Sequence, residues 1–163
     1  ELADGPTVRL HIPSDARLEA ALLRDSFVRW QSFADGHAKR WAGCPVLCDS
    51  WLLSPNLPRL LDASSRIVQF QLHFALIRWN PDATDYEEWV FKLGPKQHQV
   101  TAAFPENTGL QQRMKRFLLD GGKIGTAEGR LIRGFALSCE VPGFPKASQA
   151  IQSSKGNTTG GRF

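Results

Sequence analysis

Apolar and polar positions along the chain mark out alternating strands and helices. Residues 7–12 (TVRLHI) alternate as a strand does, and Pro13 stops it because proline brings no N–H to a ladder. Ser14 or Asp15 can cap the helix that follows. Leu18, Leu22, Trp30, Phe33 and His37 fall near one helical stripe, with Phe27 beside it, and the helix is expected to end near Gly36. Residues 46–53 (VLCDSWLL) read as a second strand. Ser54-Pro55 then opens a short helix, with serine at the cap and proline at the first helical position.

Residues 66–76 carry two patterns at once. Val68, Phe70, Leu72, Phe74 and Leu76 alternate as in a strand, whereas Ile67, Phe70, Phe74 and Ile77 fit a helix capped by Ser64 or Ser65. The cap tips the expectation towards helix. Thr84-Asp85-Tyr86-Glu87 and Thr108-Gly109-Leu110-Gln111 both have the form of a capping box. The first predicts a helix ending before Gly94-Pro95. The second predicts one with Leu110, Met114, Phe117 and Leu118 inward, stopped by Gly121-Gly122. Residues 130–141 read as a last strand. Beyond them serine, glycine, asparagine, threonine and lysine dominate, so the pattern assigns a folded domain to residues 1–141 and a disordered tail to 142–163.

Helical and strand periods alternate over 163 residues, which suits one mixed α/β domain: a sheet of few strands with packed helices. No apolar run approaches the length of a membrane span, and no basic start with a long apolar stretch marks a signal peptide. Three cysteines, Cys44, Cys48 and Cys139, are an odd number that fits a reducing, cytoplasmic setting better than a disulfide framework. Cys44 and Cys48 have the spacing of half a zinc site, but no second pair completes it, so no metal is expected. A net charge of +4 leans towards an anionic ligand; without a dense basic run interleaved with aromatics, a small polyanion suits better than nucleic acid. Residues 121–129 (GGKIGTAEG) are glycine-rich, but they follow a helix and match no phosphate-loop pattern, so they read as a cap and turn.

The chemistry-bearing stretch is Cys48-Asp49-Ser50-Trp51. On a strand, Asp49 shares a face with Leu47 and Trp51, where burial would penalise its charge and make it a usable general base. His11, on the first strand opposite Leu10 and Ile12, is a second base candidate. Ser50 can orient an acyl group or protonate a leaving thiolate. Tyr86, the only tyrosine, could also donate such a proton, but its place in a first helical turn points to capping or packing.

Four stretches in order carry a family resemblance: residues 10–13 (LHIP), 48–55 (CDSWLLSP), 65–71 (SRIVQFQ) and 108–111 (TGLQ) followed by Gly121-Gly122. Together they resemble the GNAT-like C-terminal domain of bacterial acyltransferases. The resemblance implies a GNAT-like fold and an N-acyltransferase that uses acetyl-CoA or another acyl-CoA to acylate an amine. It implies Asp49, His11 and Ser50 as catalytic candidates, and Trp51, Lys123 and Arg116 as contacts for the acyl-CoA. It also implies a preceding N-terminal acyltransferase domain, consistent with a chain that opens at Glu1 rather than Met. The usual GNAT pyrophosphate loop is not found. The alternative is a non-catalytic interaction or ligand-binding domain of the same fold.

Overall fold

Four short strands make the sheet of the computed structural model, which describes residues 5–94 and 100–132. They are β1 (Val8–Leu10), β2 (Val46–Ser50), β3 (Phe74–Asn80) and β4 (Thr126–Leu131), in the order β1-β2-β4-β3. The first pair is parallel, with Leu10 beside Cys48; β2–β4 and β3–β4 are antiparallel. The helices are α1 (Ala20–His37), α2 (Arg66–Gln71), α3 (Asp85–Phe91) and α4 (Gly109–Leu119). The mixed sheet with packed helices is the architecture expected from the sequence. No helix among the described residues is long and apolar enough to cross a membrane. The expected tail, and the last strand beyond residue 132, lie outside the described residues.

Strand alternation sends Cys48 and Ala127 to the face that meets α1 and α2, where they pack with Phe27, Leu53, Phe70 and Phe74. A second cluster lies among α3, α4 and the turn at Leu57–Arg59, and contains Leu57, Val90, Phe91, Met114 and Ile124. Trp51 and Ile67 pack against both clusters and join them.

Several local expectations are corrected. The stripe on α1 that is buried runs through Phe27 and Ala34, whereas Leu22 and Phe33 are exposed and Phe33 leans on Trp30 and His37. Large apolar residues surround much of this helix, so several stripes were open. Residues 66–76 are neither one helix nor one strand. Ser65 caps α2 by accepting the Val68 N–H at 3.2 Å, the helix stops at Gln71, and β3 begins at Phe74. Thr84 makes no side-chain cap bond, although α3 starts where expected. The Thr108 box is complete: its hydroxyl accepts from Gln111 N and the Gln111 side chain accepts from Thr108 N. Met114 on this helix is fully buried, and Phe117 only partly so. The glycine-rich segment holds β4 as well as a turn. Gly125, at φ +66°, lies so close to the Asn80 and Pro81 backbone that a side chain there would collide with it.

His73 follows α2 and is buried, with Phe27 edge-on at 6.5 Å. Burial holds its pKa below the ordinary 6.5. The unfolded chain therefore binds a proton at this residue before the folded chain does, and stability must fall as pH drops through 6.5. Melting midpoints measured from about pH 8 to about pH 5 should drop more steeply in the native protein than in His73→Leu, whatever the two baselines are. Parallel curves would show that His73 is not the group responsible.

Candidate functional site

The parallel strands β1 and β2 part after Leu10 and Ser50, and a crevice of about 310 Å³ opens at their carboxyl ends. Crevices at the carboxyl ends of parallel strands are where open α/β sheets commonly bind ligands. Two features of the sequence make the strands part. Pro13 ends the first segment, and Ser50 closes a turn at Trp51–Leu53 by accepting the Leu52 N–H at 3.2 Å. The second strand is therefore shorter than the expected residues 46–53. His11 also lies just beyond β1, exposed, and not on the strand.

This geometry brings His11, Asp49, Ser50 and Trp51 to one crevice. Leu10, Ile12, Leu52 and Ile67 give it apolar walls. Asp49, expected to be enclosed by Leu47 and Trp51, is exposed: Leu47 is buried and Trp51 half-buried, but the carboxylate reaches solvent. Any role it has comes from position and not from burial. Ser50 uses an oxygen lone pair to accept from Leu52, which leaves its O–H available to donate. Cys48 is not a nucleophile here, since burial first and the Asp49 charge second push its thiol up to about 12. Burial, and then Glu87, push Tyr86 to about 12 as well, and its ring packs edge-on to Phe91.

Arg116 and Lys123 are placed elsewhere. Arg116 is exposed on α4, Lys123 pairs with Asp82, and neither lines the crevice. The basic group at the crevice is Lys92, which ends α3 in a left-handed conformation at φ 59°. Trp89 and Asp85, also on α3, complete that wall. Sequence reasoning missed all three, because Asp85 showed only as part of a capping box.

Polar motif residues hold the turn that shapes the crevice. Gln71 donates to the carbonyls of Leu52 and Ser54, at 2.8 and 2.9 Å. Ser54 is fully buried and donates to the Ile124 carbonyl, while Asn56 donates to that of Lys123. On the opposite sheet face Glu128 is buried and bridges Arg9 at 2.8 Å and Arg78 at 3.1 Å. It lies directly across from Asp49 in the β2–β4 register.

The chain belongs to the GNAT-like C-terminal domain family, whose profile matches residues 2–131. No curated protein matches the sequence. Among solved structures the chain is similar to an acyltransferase in complex with decanoyl-CoA, at 27% identity and a TM-score of 0.66, over 78% of this chain and 40% of that one. It is also similar in fold to an acyltransferase in complex with CoA and 10C-teicoplanin, at 22% identity and a TM-score of 0.64, over 76% of this chain and 39% of that one. The chain thus spans about 40% of the length of these acyltransferases.

Proposed function

We propose that this chain is an acyltransferase domain that passes an acyl group from an acyl-CoA to an amine. The observation that carries the reading is the crevice at the ends of β1 and β2, where an apolar floor meets Asp49, His11 and Ser50. The donor fits this wall chemistry. At about 310 Å³ the crevice is at the low end of ligand pockets, roughly 300–1,000 Å³, so it suits the thioester end of an acyl-CoA while the nucleotide lies outside. Lys92 stands at the same wall as a counter-charge for phosphate. The similarity to an acyltransferase holding decanoyl-CoA supports the donor class.

In the reaction the amine nitrogen attacks the thioester carbon, the C–S bond breaks, and the nitrogen gives up a proton. Asp49, or failing it His11, takes that proton. Ser50 can donate its O–H to the thioester oxygen or to the departing sulfur. A non-catalytic domain of the same fold is the second reading, favoured by the chain's spanning only 40% of its similar acyltransferases.

Decanoyl-CoA should raise the melting midpoint, since a ligand that binds only the native state must stabilise it. Lys92→Glu should weaken that binding about tenfold, the equivalent of about 1.4 kcal/mol. Release of CoA from decanoyl-CoA with n-butylamine as acceptor separates the two readings. Binding without amine-dependent release would favour the non-catalytic domain, and no midpoint shift at all would remove the crevice as a donor site.

A further inference from the structure

A second cavity, of about 520 Å³, lies against the opposite face of the sheet. Asp49 and Asp85 are the two residues common to the walls of both cavities. The two spaces therefore meet at this pair of carboxylates. Their other walls differ in kind. The crevice rests on Leu10, Leu52 and Ile67, whereas the second cavity is bounded by Arg78, Trp79, Thr126 and Glu128.

The charges of the second cavity do not cancel. Glu128 has one oxygen on Arg9 and the other on Arg78. Asp85 accepts the Thr126 hydroxyl at 2.9 Å, which fixes its position without neutralising it. Among the described residues neither Asp85 nor Asp49 has a cationic partner. Asp49 stands directly opposite Glu128 on the neighbouring strand, and of the two carboxylates only Glu128 has arginine partners among the described residues. A cation arriving beside Asp49 would meet a carboxylate that no arginine or lysine yet holds among the described residues. Trp79, 37% exposed, offers a ring as part of the wall, and its indole N–H is held on the Ile124 carbonyl at 2.9 Å.

We propose that this polar cavity is the acceptor subsite, that it takes a primary alkylammonium group, and that Asp85 is the side chain that positions the nitrogen at the junction. The inference rests on reading the crevice as the acyl-donor site. The ammonium enters past Trp79 and lies between Asp85 and Asp49. Asp49 takes one proton from the ammonium, the freed amine forms the bond to the thioester carbon from the far side of the junction, the C–S electron pair leaves on sulfur, and the second proton that nitrogen loses on becoming the amide passes to that sulfur. Donor and acceptor need not share one entrance.

The five tryptophan indole N–H groups allow each cavity to be watched separately by ¹⁵N NMR. Trp79 reports the polar cavity, Trp89 the crevice, and Trp41 lines neither. Titrating n-butylammonium chloride at constant ionic strength should move Trp79 saturably and leave Trp41 still. Butan-1-ol should not reproduce the shift. Asp85→Asn should weaken the apparent affinity at least tenfold, while decanoyl-CoA still moves Trp89 in that variant. If Asp85→Asn loses its dispersed indole signals, Thr126→Val, which removes only the hydroxyl that fixes Asp85, gives the same reading in a folded chain. An unmoved Trp79, an equal shift with butan-1-ol, or a shift unchanged in the folded variants overturns the acceptor subsite. A Trp89 signal that ignores decanoyl-CoA counts instead against the donor reading, and with it against the acceptor role of the second cavity.

Discussion

Asp49→Asn should lower kcat for transfer from decanoyl-CoA to n-butylamine by roughly 10²–10⁴-fold, the contribution typical of a positioned general base. An alkylammonium has no lone pair, so a proton must leave before nitrogen can attack. Asp49 is an exposed carboxylate at the meeting point of both cavities, with no ion pair among the described residues to occupy it. The asparagine keeps the shape and removes the base, and KM for decanoyl-CoA should change little, because the thioester makes no demand on a carboxylate. Its effect on folding should be small, since the side chain is exposed and makes no ion pair among the described residues. A well-folded variant with unchanged kcat would take Asp49 out of the mechanism and pass the role to His11.

Phe70→Ala should destabilise the fold by about 3–5 kcal/mol, the usual range for emptying a large aromatic site in a core. Phe70 is 1% exposed and packs against Phe74 at a ring distance of 4.9 Å. It is also one residue from Gln71, whose amide holds the carbonyls of the Trp51–Leu53 turn. A cavity there loosens α2, and the crevice wall with it. Denaturant unfolding gives the magnitude, and a loss below about 1 kcal/mol would mean that the site collapses around the missing ring. Arg116→Ala, by contrast, removes an exposed side chain and should stay within about 0.5 kcal/mol.

The sequence made the local parts of this structure readable. Ser65 and Thr108 announce helix starts because a hydroxyl that accepts a nearby N–H leaves a short-range signature. Asp49, Ser50 and Trp51 were found because they are consecutive and sit at a strand end. Glu128, Asp85 and Lys92 escaped notice for the converse reason. Each joins Asp49 only through strand pairing or helix packing, and each has a bland local explanation: a glycine-rich turn, a first helical turn, a helix end. Arg116 and Lys123 were named through the family resemblance and not through a local pattern, and neither lines the crevice. Residues 66–76 defeated periodicity because a six-residue helix and a strand adjoin there, and a single window saw both.

Among the described residues strand β3 ends the sheet order, and Leu76, Ile77 and Trp79 are exposed along it. An apolar row beside unpaired backbone groups is the usual template for stray strand addition and aggregation. Two devices blunt it. The pairing with β4 slips between Leu76 and Arg78, and such a bulge bends the strand away from a flat register. Arg78 itself interrupts the apolar row, an exposed side chain whose guanidinium pairs with the buried Glu128. The ion pair that bounds the polar cavity thus also breaks up an exposed apolar row, so a neutral residue at position 78 would leave Glu128 with Arg9 as its one cation among the described residues and lengthen that row outside.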